Sequence, residues 1–188
     1  MLYKSIVILG LKHSGKSTLG KRLAQNLGYD FFDTDELIEK NCKMSVRKLY
    51  NLRGSEAFKY EEEKACLQIA EMFKTKKIVT ATGGGICENP QAMMHLRSAD
   101  VFVFLKNDLT LSAERILRKI GIDEKGCFTG VPAFIKEKNP QSLEEIRSLL
   151  IKKFQERAKI YTSSCDIIVE LQNAPIEENL QRLIEKLN

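Results

Sequence analysis

The stretch Ser5-Ile6-Val7-Ile8-Leu9-Gly10-Leu11-Lys12-His13-Ser14-Gly15-Lys16-Ser17-Thr18 decides how this chain reads. Its first five residues form a short apolar run, as expected of a strand covered on both faces of a parallel sheet. From Gly10 the residues fit G-x-x-x-x-G-K-[ST], a loop whose backbone N–H groups cradle phosphates. Gly10 and Gly15 let the backbone curl inward, and the helix opening at Lys16 aims its positive end at the same point. Lys16 then reaches the β- and γ-phosphates of a nucleoside triphosphate. The Ser17 hydroxyl is placed to take one position on Mg²⁺, which prefers oxygen ligands. An ordinary glycine-rich turn is the alternative. The helical spacing Leu19, Leu23, Leu27 directly behind Gly-Lys-Ser makes it the weaker one.

The chain's 188 residues suffice for one packed core, so a single domain over 1–188 is expected. Hydrophobic residues at 43% and charged ones at 29% fit a globular protein. The net charge of +5 is mild, and acids and bases are interleaved, so charge implies no nucleic-acid partner. No apolar run approaches membrane-spanning length, and Ile6 to Leu11 reads as a strand rather than a signal segment. The five cysteines are odd in number and form no C-x-x-C pair, which points to reduced thiols in the cytoplasm.

Strand and helix patterns alternate along the whole chain, the mark of βαβ units in a mainly parallel sheet. Strands are expected at 5–9, 29–33, 77–81, 101–105 and 166–171. Helices are expected at 16–27, 35–41, from a Ser45 cap, from a Ser55 cap to Phe73, and at 90–96, 109–119, 143–161 and 176–187. Gly121 to Pro140 has no steady period, and a loop that long inside a domain is usually functional or mobile.

Asp33 and Asp35 fall at the C-terminal end of the second expected strand, where ligands of open α/β sheets collect. Residues two apart on an extended segment face the same way, so both carboxylates can face the cleft. One can then orient a Mg²⁺ shell while the other accepts a proton from an attacking hydroxyl. Helix capping by Asp33 or Thr34, with Glu36 closing a capping box, is an equal alternative. Gly83-Gly84-Gly85 lets an anionic ligand lie against bare backbone, although a tight turn explains it as well. Lys59 and Arg157 are candidate cations for a substrate carboxylate, in a chain whose many other basic residues are mostly solvated. His13, His95 and the cysteines are read as structural.

Taken together, these motifs resemble the shikimate kinase family of P-loop small-molecule kinases. The resemblance covers nearly the whole chain: Gly10 to Thr18, Asp33-Thr34-Asp35, Phe58-Lys59-Tyr60-Glu61-Glu62, Gly83-Gly84-Gly85, and Arg157 four residues before Tyr161. It implies a three-layer α/β/α fold of P-loop NTPase type, with a five-stranded parallel sheet, a substrate-binding helical segment near 34–62 and a mobile lid near 120–140. The implied reaction is ATP-dependent, Mg²⁺-assisted phosphorylation of the 3-hydroxyl of shikimate by a monomer that needs no nucleic acid or membrane. Carried over, Gly10, Ser14, Gly15, Lys16, Ser17, Thr18 and Arg115 would bind ATP, with Arg115 near the adenine. Ser17 and Asp33 would serve the metal. Lys16 and Asp35 would be catalytic, with Asp35 holding the shikimate hydroxyls and acting as base. Gly84 and Gly85 would contact the ring, and Arg157 and Lys59 the carboxylate.

Two positions depart from the family pattern. Lys59 stands where members usually carry Arg, and an ammonium lacks the two-pronged grip of a guanidinium. Val131, just before Pro132, stands where the lid usually carries Arg; Lys119, Lys125 and Lys136 are candidate substitutes. Two other readings therefore stay open: a kinase of another hydroxy acid or polyol, and a nucleotide-binding protein without turnover.

Overall fold

The computed structural model describes residues 3–124 and 126–188. The apolar run becomes β1 (Ser5–Gly10), buried along its whole length. The chain continues as α1 (Lys16–Leu27), β2 (Asp30–Asp33), α2 (Thr34–Cys42), α3 (Val46–Phe73), β3 (Ile78–Ala81), a 3₁₀ turn (Ile86–Glu88), α4 (Pro90–Leu96) and β4 (Val101–Lys106). Then follow α5 (Leu109–Leu117), β5 (Gly121–Ile122), β6 (Phe128–Thr129), α6 (Ala133–Lys136), α7 (Leu143–Ser164), β7 (Ile167–Glu170) and α8 (Ile176–Leu187). Five strands form one parallel sheet in the order β2-β3-β1-β4-β7.

Side chains alternate across the sheet, and each face buries its own helices. Ile6 and Ile8 of β1, with Val79 and Val103, pack on Leu19 and Leu23 of α1 and Leu183 of α8. Val7 and Leu9, with Phe102 and Phe104, pack on Ile69 of α3, Ile116 of α5, and Leu150 and Phe154 of α7. The result is the expected three-layer α/β/α architecture. A smaller cluster of Ile38, Leu49 and Ala65 fastens α2 to α3 beside the main core.

Polar caps set the helix starts, as the Ser45 hydroxyl does for α3 by accepting from the Lys48 N–H at 3.3 Å. Two helices were expected between Ser45 and Phe73, the second capped by Ser55. Two helical runs do meet there, at Gly54, whose φ of 81° and ψ of 178° kink α3 directly before Ser55. That conformation is nearly exclusive to glycine. The segment after α5 is also more ordered than its irregular sequence implied. β5 and β6 pair antiparallel, and Val131 and Ile135 insert into the main core.

Candidate active site

The phosphate loop leaves the C-terminal end of β1, at the centre of the sheet, with β3 on one side and β4 on the other. Gly15 is left-handed at φ 95°, and α1 begins with no side-chain cap and no acidic residue in its first turn. Its first N–H groups therefore remain available to an anion. Gly10 lies so close to its surroundings that a Cβ there would come within 2.8 Å of the Ser14 hydroxyl. The Lys16 ammonium is buried and folds back on the loop, donating to the Leu11 carbonyl at 2.8 Å and facing Ser14 Oγ at 3.5 Å.

Positive charge is concentrated at the loop. Burial lowers the Lys16 pKa to about 8, against the pull of Asp35 and Asp33. His13, within the loop, is pushed down to about 4 by burial and by Lys119, Lys12, Lys16 and Arg115 around it. It stays neutral at physiological pH because burial, and then the surrounding cations, disfavour its charged form.

Asp33 caps α2 and at the same time faces the phosphate loop. Its Oδ1 accepts from the Asp35 N–H at 2.9 Å and caps α2, while its Oδ2 accepts from the Ser17 hydroxyl at 2.5 Å. Asp35 does not share a strand face with Asp33, as the alternation rule had suggested. It lies in the first turn of α2, two residues past the end of β2, and from there lines a cavity. Burial and then Asp33 raise its pKa to about 6, partly offset by Lys16 and Lys12. Glu36 pairs with Lys21 at 3.0 Å instead of closing a capping box.

Thr34 ties this acidic turn to the triple glycine, because its hydroxyl accepts from the Gly83 N–H at 2.9 Å. At Gly84, a Cβ would lie 2.7 Å from the Lys12 nitrogen, so the phosphate loop rests directly on the backbone there. A Cβ on Gly85 would meet the Arg157 guanidinium at 3.1 Å. The three glycines thus let the loop, the acidic turn and Arg157 converge.

Two cavities open onto this loop from opposite sides. The first, about 270 Å³, is lined by Ser14, Gly15, Thr18, Asn107, Arg115 and Gln172, on the β4–β7 side. Arg115 is held there by donating to the His13 carbonyl at 2.9 Å. The second, about 290 Å³, lies on the β2–β3 side, and among its walls are Lys12, Asp35, Glu62, Gly84, Val131 and Arg157. Lys59, Gly85 and Lys136 also line it. Lys119 acts on Lys12 and His13 without lining either cavity. Lys125 lies outside the described residues.

Several partners in the second cavity carried no legible signal. Glu88 accepts from Arg157 at 2.8 Å and from Lys153 at 2.5 Å, so the Arg157 charge is already matched. Arg157 also donates to the Gly84 carbonyl at 3.2 Å and stacks on Phe134, 4.4 Å from the ring centroid. Glu62 is buried, accepts from the Asn89 amide at 3.0 Å, and is raised to about 7 chiefly by burial. Lys59 pairs with Glu56 at 3.1 Å. Tyr50 donates to Glu137 at 2.9 Å and ties α3 to the end of α6.

A loop shared by two cavities lets a nucleotide and a small acceptor meet at one phosphate, and this arrangement defines a phosphate-loop small-molecule kinase. A family model described as shikimate kinase matches residues 12–188. A shikimate kinase of Chlorobium chlorochromatii is 32% identical over 97% of this chain and 90% of its own. Among solved structures, shikimate kinase from Bacteroides thetaiotaomicron superposes with a TM-score of 0.76 at 26% identity, covering 97% of each chain. The Acinetobacter baumannii enzyme in complex with shikimate gives 0.77 at 22%, a likeness of fold, over 99% of this chain and 93% of that one. The chain belongs to the shikimate kinase family.

Proposed function

We propose that this enzyme transfers the γ-phosphoryl group of ATP to the 3-hydroxyl of shikimate, with ATP in the cavity beside Arg115 and shikimate in the cavity beside Asp35. The observation that carries this reading is the Asp35 carboxylate, which enters the second cavity next to the phosphate loop while Arg157 lines the same cavity. With a pKa near 6, Asp35 is mostly ionised at pH 7 and able to take the proton of an attacking hydroxyl. Arg157 supplies a rigid donor for the ring carboxylate, and Gly84 and Gly85 leave room for the ring against bare backbone.

The oxygen atoms of Ser17 and Asp33, in contact beside the loop, suit a hard cation such as Mg²⁺. Bound with the nucleotide, that ion would neutralise charge on the phosphates. Lys16 would leave its internal contacts with Leu11 and Ser14 for the β- and γ-phosphates, exchanging a neutral carbonyl partner for an anionic one. Among the described residues no helix is long and apolar enough to cross a membrane. The free cysteines fit action in the cytoplasm, and a monomer contains both cavities whole.

The direct test is a panel of small hydroxy acids and polyols offered with Mg-ATP. Shikimate should give the highest kcat/KM. A better acceptor elsewhere in the panel would transfer the assignment to that compound, and ATP binding with no acceptor turned over would end the kinase reading.

A further inference from the structure

The cations of the second cavity fall into two groups. Arg157 and Lys59 have acidic partners in the protein, Glu88 and Glu56. Lys12 and Arg47 also line the cavity, yet neither side chain has a hydrogen-bond or ion-pair partner among the described residues. They come from different elements. Lys12 belongs to the phosphate loop, where its backbone is fixed against Gly84. Arg47 is in the first turn of α3, which Leu49 anchors in the cluster with Ile38 and Ala65. Both are exposed side chains on anchored backbone, with no acidic hydrogen-bond partner of their own among the described residues.

We infer that Lys12 and Arg47 form a second cationic wall that binds the anionic group of the acceptor, so that selection for a carboxylate-bearing acceptor does not rest on Arg157 alone. The inference rests on the second cavity being the acceptor site. Two like charges facing one cavity repel, and an anion bound between them offsets that cost further than Asp35 already does at Lys12. Their mutual influence is visible at Lys12, which burial, Arg47, Lys119 and Arg157 together make easier to deprotonate, with Asp35 opposing. Lys136 also lines the cavity, from the short α6, and is not among the strongest charges acting on Lys12. The balance at Arg157 points the same way. An incoming carboxylate must share that guanidinium with Glu88, whereas at Lys12 and Arg47 it meets charge not yet committed.

The experiment measures shikimate and ADP affinities by calorimetry, with steady-state kcat and KM, for the wild type, Lys12→Met, Arg47→Met and Lys12→Arg. Lys12→Met and Arg47→Met should each raise the shikimate Kd and KM about tenfold or more, as the loss of one charged contact does. ADP affinity should change by less than about threefold, and Lys12→Arg should recover most of the loss because it restores the charge. Shikimate affinity within about twofold of wild type in both Met variants, against that tenfold step, would overturn the proposal. So would a fall in kcat alone, which would place Lys12 on the transferring phosphate instead.

If the wild type neither binds nor phosphorylates shikimate, the acceptor assignment fails separately. The cationic wall is then judged on polyhydroxy acids against their amides. A preference for the acid that disappears in Lys12→Met supports it, and equal affinity for acid and amide overturns it.

Discussion

Asp35, Lys16 and Glu62 show how burial trades stability for chemistry in this fold. Asp35→Asn keeps the size of the side chain and removes the base, so kcat should fall about 10²–10⁴-fold. Lys16→Met should cost a similar amount, about 10²-fold or more, by removing a donor to the transferring group. Measurement of kcat for both variants in folded protein checks these values; a Lys16→Met enzyme within tenfold of wild type would contradict the role given to the loop lysine. Glu62 makes a prediction about stability instead. Its folded pKa of about 7 lies above the ordinary glutamate value of 4.5, so the folded state holds its proton more tightly. Below pH 4.5 both states are protonated and nothing is lost. As pH rises through the window to 7, ionising the buried group costs stability, up to about 3 kcal/mol once complete. Glu62→Gln should therefore unfold at the same denaturant concentration as wild type near pH 4.5 and at a higher one at pH 8. An equal midpoint at pH 8 would mean that the carboxylate is solvated.

At the scale of elements, the kink in α3 and the packing of the lid segment carry the cavity wall. Nothing lies within 4 Å of a Cβ placed on Gly54, so Gly54→Ala meets only backbone strain. It should lower stability by about 1–3 kcal/mol, a Tm drop of several degrees. Because Arg47 and Tyr50 line the cavity from before the kink and Phe58 and Glu62 from after it, acceptor KM should rise as well. Val131 stands where the family usually carries Arg, with Lys119, Lys125 and Lys136 as candidate substitutes. Val131 is buried among core residues, so Val131→Arg would bring an unpaired charge into apolar packing. A loss of about 3 kcal/mol or more, with no gain in kcat, is expected. These two elements also mark the limits of what the sequence discloses. Strands such as Val101–Lys106 are legible because continuous apolar residues announce burial on both faces. The two-residue strands β5 and β6 are too short for any period, whereas the start of a second helical run near Ser55 was legible and the glycine geometry that makes the kink was not.

Across the whole molecule, the legible part of the site is its loop and acidic turn, since fixed spacings impose Gly15, Lys16, Ser17 and Asp33 on short, local geometry. Glu88, Lys153, Lys12 and Arg47 were not legible, because their meeting depends on how the 3₁₀ turn, α7, the loop and α3 come together in space, and no spacing encodes that. The same assembly places the two cavities on opposite sides of one loop, which has a kinetic consequence. ATP and acceptor should bind together, so double-reciprocal plots should intersect; parallel lines would require a phosphorylated enzyme intermediate. The most direct test of the account is ADP formation from Mg-ATP with and without shikimate, in wild type and Asp35→Asn. The account predicts ADP formation that depends on shikimate in the wild type and nearly vanishes in the variant. ADP formation indifferent to shikimate, or undiminished without the Asp35 carboxylate, would contradict it.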